Sequence, residues 1–245
     1  MSSTDLAPIF AYVDACAKAT RLHELGTAAR DYYQTTPLRM TSYHHYPVFG
    51  SPEVEDNLRV VTSGFPEEYV REYNRQKMWR VDPFVRLTAT ATAPFFWSDG
   101  ARDPSLTDKE RAYLEWAFKA KLGDGVAIPV FGPRGRNGYC GMGFGLGAPR
   151  PAPHVIAEIH WACQIGHLAY CGLISRRLAT DAALSGREKE ILGWIARGQT
   201  NSEIAETLHI SRNTVETYIR RCYEKLDVTD RVSAALRGLA LGMVD

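Results

Sequence analysis

The sequence contains no Cys-x-x-Cys pair. Its five cysteines, Cys16, Cys140, Cys163, Cys171 and Cys222, are odd in number and scattered, which argues against a disulfide scaffold and against cysteine-based zinc fingers. Free thiols suit a reducing cytosol, so a cytoplasmic location is expected. No apolar run approaches membrane-spanning length, and the opening "MSSTDLAPIFAYVDACAKAT" lacks the basic-then-apolar layout of a signal peptide, so no membrane partner is expected. An excess of either charge is also missing: 29 Lys and Arg face 28 Asp and Glu. That balance rules out a diffusely basic nucleic-acid coat but leaves room for a small DNA-binding module. There is no serine-nucleophile motif, phosphate loop or zinc-hydrolase helix, and no internal repeat or low-complexity tract.

What is present is an ordinary globular composition, 245 residues with 45% apolar side chains, enough for one large or two ordinary domains. Residues 5–32 carry helical periodicity, with Leu6, Ile9, Phe10, Val13 and Cys16 on one face. Residues 38–48 and 58–64 read as strands around turn chemistry at 51–57, and 65–77 as a helix with Pro66 in its first turn. A short strand or edge is expected at 94–99, and a helix at 107–121 behind a Thr107/Glu110 capping box. Strands at 125–132 and 138–147 precede a long helix at 152–178. On the second of these strands Gly141, Gly143 and Gly145 share one face, and Cys140, Met142 and Phe144 the other. The bare face would admit a helix; the apolar face would line a core or a cavity. Strands and helices mix without regular βαβ alternation, so an antiparallel sheet with helices on its faces is expected.

After a linker at 179–184, everything is helix and tight turn. Ser185/Glu188 and Thr200/Glu203 form capping boxes, Gly198 ends one helix, and Ser211 opens another. A short helix with Ile204, Ala205 and Leu208 inward runs almost directly into a helix at 212–226 that buries Val215, Ile219 and Leu226, the layout of a helix-turn-helix. The other side of the later helix offers Arg212, Asn213, Thr214, Thr217, Arg220 and Arg221, side chains suited to phosphates and base edges.

The stretch 184–242, "LSGREKEILGWIARGQTNSEIAETLHISRNTVETYIRRCYEKLDVTDRVSAALRGLALG", resembles the LuxR-type C-terminal domain over its whole length. Glu188, Leu192 and Gly198 stand at that family's characteristic positions, and Tyr218 stands where His is frequent and can still reach a phosphate. The resemblance implies a four-helix DNA-binding domain over 185–245 whose last helix, about 229–241, pairs with that of a second copy.

Residues 1–178 resemble the autoinducer-binding domain of the acyl-homoserine-lactone receptors. The carrying residues come in order: Tyr73, Asp82 before Pro83, Trp97 and Gly125. The resemblance implies an α/β/α sandwich around a five-stranded antiparallel sheet, with the ligand between the sheet and one helical layer. The chemistry of such a ligand fits these residues independently. Its amide N–H suits a carboxylate, its carbonyls suit phenols, and Tyr69 and Tyr73 share a helix face one turn apart. Ligand contacts are expected from Tyr69, Tyr73, Asp82, Trp97 and Phe65, and from Cys140, Met142 and Phe144 on the strand. Two positions depart from the family: Tyr69 stands where Trp is usual and Phe65 where Tyr is frequent. The strand 138–147 also lacks a Ser or Thr near its end. These changes point to a long-chain or aryl acyl group, or to an altered head group.

Other readings stand beside this one. Asp-Pro is commonly a turn starter, i,i+4 tyrosines commonly pack, and Asp82 could serve a lactone-processing enzyme. A phosphorylation-controlled regulator would need a βα-alternating receiver, which residues 1–60 do not show. A LuxR-type regulator sensing a non-lactone molecule is a further alternative. His160, Cys163 and His167 have a helical spacing that could hold a metal, with packing the preferred reading, so no metal and no cofactor are expected. His44 and His45 point to opposite faces of their strand. Without ligand, Asp82 is expected to be under-solvated and costly in an apolar pocket, so that ligand binding and folding are coupled. An apolar stripe of Val155, Ile156, Ile159, Cys163 and Ile165 on the long helix is expected to form a homodimer contact, placing two recognition helices on a two-fold operator in double-stranded promoter DNA. RNA polymerase is a further partner for such a regulator.

Overall fold

A computed structural model describes residues 6–47, 59–181 and 184–244; the turn expected at 51–57 lies outside them. The chain divides into two compact units, one containing the sheet and ending at Cys171, the other running mainly from Gly172 to the C-terminus.

In the first unit the periodic stretch 5–32 is two helices, α1 (Ala7–Lys18) and α2 (Leu22–Tyr33). The break has a local cause. The Glu24 carboxylate reaches back to accept from the backbone N–H groups of Thr20 and Arg21 at 2.8 and 3.2 Å, which starts a new helix. Then follow β1 (Met40–His45), β2 (Arg59–Ser63), α3 (Glu67–Arg75), α4 (Pro83–Thr90), β3 (Phe95–Phe96) and α5 (Trp97–Gly100). The remainder is α6 (Asp108–Lys119), β4 (Asp124–Val130), β5 (Gly138–Gly145) and the larger part of α7 (Pro153–Asp181), whose residues from Gly172 onward count with the second unit. The strands form one antiparallel sheet in the order β2-β1-β5-β4-β3, the five-stranded α/β/α arrangement expected.

Three expectations need correction. The segment 94–99 is strand only at Phe95–Phe96, and Trp97 opens a helical turn instead. On β5 the apolar face lines a core, one of its two expected alternatives, but the helix was expected on the bare face: Cys140, Met142 and Phe144 are buried with Val126, Ile128, Ile159 and Cys163, so it is the apolar face that packs against α7. Four of the five residues of the stripe expected at a dimer contact are also taken up there, with Ile159 and Cys163 in that core and Val155 and Ile156 packed against it; Ile165 is not part of it. Among the described residues of α7, the large apolar side chains left exposed are Trp161 and Leu168.

The bare face of β4 and β5 meets the Trp97 ring. A methyl group built at Gly125 would lie 2.6 Å from two Trp97 ring carbons and 2.6 Å from the Met142 carbonyl; one at Gly143 would lie 3.0 Å from the same ring. Glycine there lets the indole lie close on the sheet. Its helical turn is clamped from outside: Ser98 donates through N–H and hydroxyl to Asp124, and Arg150 bridges Asp124, Ser98 and Asp99.

The second unit holds α8 (Gly186–Ala196), α9 (Asn201–Leu208), α10 (Arg212–Leu226) and α11 (Arg231–Leu241). Both expected capping boxes form, and Ser211 accepts from Thr214 N–H at 3.1 Å. Ile191, Ile195, Ile204, Val215 and Ile219 make one core cluster and Leu192, Cys222, Leu226, Ala234 and Leu241 belong to another. Glu188 is buried, completes the α8 box and takes Lys225 of α10 at 2.7 Å, joining two helices through one carboxylate.

Gly125→Ala is expected to lower stability by about 1–3 kcal/mol, the usual cost of overpacking. Urea unfolding measures it; an unchanged midpoint would mean that the Trp97 ring is not confined by the sheet.

Candidate functional site

Asp82 is placed by the backbone first. It is the N-cap of α4, with Pro83 in the first helical position, and its Oδ1 accepts from Phe84 N–H at 2.9 Å. Its Oδ2 accepts from the Tyr73 hydroxyl at 3.0 Å and the Tyr113 hydroxyl at 3.1 Å. The turn-starter reading and the pocket reading of this acid are therefore both true, one for each oxygen. The acid is buried, as expected of an under-solvated carboxylate, and three donors already hold it.

Tyr113 was not among the residues singled out from the sequence. It sits on α6, 31 residues from Asp82, and no local pattern joins the two. What brings it there is the Thr107/Glu110 box one turn earlier. Glu110 is buried and takes Arg86 of α4 at 2.7 Å, tying α6 to the helix that Asp82 caps. Tyr69 lies 3.0 Å from Tyr113, hydroxyl to hydroxyl. Since Tyr113 spends its proton on Asp82, its oxygen accepts from Tyr69. A relay Tyr69→Tyr113→Asp82 results, joined by Tyr73. Tyr69 is stacked between Phe65, at 5.8 Å, and Trp116, at 4.8 Å.

These groups line a cavity of about 960 Å³, near the upper end of the roughly 300–1,000 Å³ usual for small-molecule sites. Its wall includes Ser42, His44 and Tyr139 from the sheet, Phe65, Tyr69, Val70 and Tyr73 at α3, Phe84 and Trp97, and Tyr113, Leu114, Ala117 and Phe118 of α6. Five expected residues, Phe65, Tyr69, Tyr73, Asp82 and Trp97, are thus brought together. Cys140, Met142 and Phe144 are not; they lie in the core on the other face of β5.

Burial dominates the electrostatics. It pushes Asp82 up to about 6, against the pull of Phe84 N–H and the two phenols. Burial and the Asp82 charge raise Tyr73 and Tyr113 well above the ordinary phenol value, which keeps both protonated as donors. Burial draws His44 down to about 3, so it is a neutral imidazole, stacked on Tyr139 at 4.6 Å. Among the described residues, the buried Trp97 Nε1 and His44 Nδ1 have no hydrogen-bond partner. The cavity therefore offers a carboxylate with spare acceptor capacity and an unused N–H donor, within apolar walls.

In the second unit, Arg212, Asn213, Arg220 and Arg221 are exposed on α10, and Thr214, Thr217 and Tyr218 are half-buried. Arg212 pairs with Glu216 at 3.3 Å, the Thr217 hydroxyl donates to the Asn213 carbonyl at 2.9 Å, and Arg221 lies 5.6 Å from the Tyr218 ring centroid. The basic side chains stay at the surface while Val215, Ile219, Cys222 and Leu226 anchor the helix.

A buried polar relay in an apolar cavity, followed by a capped helix-turn-helix, defines a ligand-responsive transcriptional regulator. The family described as "Autoinducer binding domain" matches residues 23–170, and "Bacterial regulatory proteins, luxR family" matches residues 182–237. The chain belongs to the LuxR family of transcriptional regulators. It is 30% identical over 167 residues to the HTH-type regulator y4qH of Sinorhizobium fredii, covering 67% of this chain and about half, 51%, of that protein's length. It is 27% identical over 201 residues to RpaR, a quorum sensing-dependent transcriptional regulator of Rhodopseudomonas palustris, covering 81% of this chain and 82% of RpaR. Among solved structures, Escherichia coli SdiA superposes with a TM-score of 0.73 at 20% identity, over 96% of this chain and 98% of SdiA. Among the described residues no helix is long and apolar enough to cross a membrane.

A raised folded pKa favours the protonated acid. The contribution of Asp82 to stability is therefore fully present below its unfolded value near 4 and is lost as pH rises through about 6. Tyr113→Phe removes a donor to the charged form. It is expected to cost about 1.5–3 kcal/mol at pH 8, the worth of a hydrogen bond to a charged group, and clearly less at pH 5. Urea unfolding at the two pH values checks this, and an equal cost at both would contradict the relay.

Proposed function

We propose that this regulator binds an acyl-homoserine lactone with a long or aryl acyl group, and that two copies bind a two-fold symmetric operator. The observation that carries the ligand reading is the buried Asp82 carboxylate. A carboxylate offers about four lone-pair sites, and three are filled by Phe84 N–H, Tyr73 and Tyr113. The remaining one, on Oδ1, suits the amide N–H of the ligand. The unpartnered Trp97 Nε1 supplies a donor for a ligand carbonyl, and Tyr69 supplies another if it releases Tyr113. The volume near 960 Å³ and the apolar lining, which includes the exposed Phe118 and Leu146, suit a bulky acyl tail. Binding would stabilise the fold by mass action.

Tyr69 in the place where the family usually has Trp favours one alternative, a signal with a changed head group. Thermal-shift assays with lactones of graded acyl length, aryl lactones and head-group analogues separate the readings. Strong protection by long or aryl lactones is expected, with little from short ones; equal protection by short and long unbranched lactones would contradict the tail assignment.

For the DNA-binding unit, Arg212, Asn213 and Thr214 at the start of α10, with Thr217, Tyr218, Arg220 and Arg221 further along, are proposed to meet phosphates and base edges. Asp82→Asn is expected to abolish lactone protection while leaving α10 intact. Arg220→Ala is expected to weaken operator binding by about tenfold or more, as for loss of a phosphate or base contact of roughly 1–3 kcal/mol, with lactone protection unchanged. A normal lactone response from Asp82→Asn would remove the basis of the pocket assignment.

Dimerisation has its own support. Trp161 and Leu168 on α7, and Val232, Leu236 and Leu239 on α11, are apolar side chains exposed at helical spacing. Trp161→Glu with Leu168→Glu is expected to shift the lactone-bound protein toward monomer in analytical ultracentrifugation and to weaken operator binding at least tenfold. An unchanged dimer would exclude the α7 face.

A further inference from the structure

The face of β1 turned away from the cavity carries Tyr43 and His45, and it meets His167 and Cys171, one turn apart on α7. The Tyr43 hydroxyl lies 2.8 Å from His167 Nδ1 and 3.3 Å from His45 Nδ1. Cys171 Sγ lies 3.5 Å from His167 Nε2. One donor atom from each of His45, His167 and Cys171 lies within 4.8 Å of the other two, and all three residues are buried. Tyr170 packs over the group, with ring centroids 4.9 Å from His45 and 5.2 Å from Tyr43. None of these residues lines the signal cavity.

We propose that His45, His167 and Cys171 form a binding site for a thiophilic d10 metal ion, Cu+ or Zn2+. The ligand set is right for such ions: a thiolate and two imidazoles, with no carboxylate joining the group among the described residues. The spacing is right as well. With metal–sulfur and metal–nitrogen bonds of roughly 2.3 and 2.0–2.1 Å, two ligands on a tetrahedral ion stand about 3.5 Å apart, the separation of Cys171 Sγ and His167 Nε2. The His45 donor atom lies within 4.8 Å of the other two, and rotation of its side chain would bring it onto the ion. Tyr43 orients both imidazoles. Its oxygen sits at the Nδ1 of each ring, so each ring can present Nε2 to the ion while Nδ1–H is held, the outer-shell arrangement usual for metal-bound histidine. Binding displaces the Cys171 thiol proton to solvent and forms the metal–sulfur bond. Two imidazoles and one thiolate leave Cu+ with no net charge, whereas Zn2+ keeps one positive charge in a buried place. Burial therefore favours Cu+. The bound ion would fasten α7 to β1 behind the sheet.

This proposal departs from the expectation of no metal and regroups the trio first considered. His167 is shared, but its companions are His45 and Cys171, while Cys163 belongs to the core and lies 3.4 Å from the Tyr33 hydroxyl. The alternating faces of β1, which separate His45 from His44, are what bring His45 to α7.

The test uses full-length protein produced with a long-chain acyl-homoserine lactone, reduced and stripped by a chelator. Cu+ is titrated anaerobically against a chromogenic Cu+ chelator, and Zn2+ against a Zn2+ indicator. One ion per chain is expected to leave the competitor, and uptake of either ion supports the site and names its ion. Co2+ loading is expected to give a thiolate-to-metal absorption band. Cys171→Ser should remove that band and weaken binding at least about a hundredfold. Tyr43→Phe, which keeps all three ligands, should weaken it about 10–100-fold, as outer-shell changes do. Cys163→Ser should leave it unchanged. If Cys171→Ser does not fold, the wild-type band and the Tyr43→Phe effect decide. Wild-type protein that leaves both ions with their competitors, or binding lost with Cys163→Ser but not with Cys171→Ser, would overturn the proposal.

Discussion

The hydrogen bonds at Asp82 organise the sheet-bearing unit. One carboxylate oxygen caps α4 and the other receives Tyr73 from α3 and Tyr113 from α6. Three helices meet at a single buried acid, and each contact restricts the others. The Arg86–Glu110 pair holds α4 to α6 from outside, which keeps Tyr113 in reach. Burial opposes the charge and raises Asp82 to about 6, so the carboxylate is poised between its two forms near neutral pH. A ligand N–H would favour the charged form, and on the proposed function the same residue would link folding, protonation and signal binding.

Around that point the sheet supplies a flat floor. Gly125 and Gly143 let Trp97 rest on the backbone, and the clamp of Asp124, Ser98 and Arg150 keeps its helical turn in place. The indole N–H is left without a partner. An unmet buried donor is costly to the empty protein, and a ligand carbonyl would recover that cost. Tyr69, held between Phe65 and Trp116, ends the phenol relay where the family usually places an indole. The chain thus departs from its family at a position whose hydroxyl already has an internal use.

Much of this was legible in the residues. Capping boxes are local, and the three at Thr107, Ser185 and Thr200 form as written. The ordered set Tyr73, Asp82, Trp97 meets at one cavity, and the helix-turn-helix followed from its caps and inward apolar residues. What failed was non-local. Alternation on β5 groups Cys140, Met142 and Phe144 on one face but does not say which layer that face meets; they meet α7. The same ambiguity misdirected the α7 stripe, since a helix apolar on several sides must lay one of them on its own sheet. Tyr113 reaches Asp82 only through the packing of α6 on α4. The break between α1 and α2 depends on one glutamate reaching back, which periodicity does not register.

The central claim is that a signal molecule binds to the ionised form of Asp82. Calorimetric titration of a long-chain acyl-homoserine lactone in buffers of different ionisation enthalpy counts the protons exchanged on binding. With Asp82 at about 6 in the empty protein, about half a proton per site should be released at pH 6 and almost none at pH 8. Binding at pH 6 with no proton exchanged, or with a proton taken up, would contradict the account.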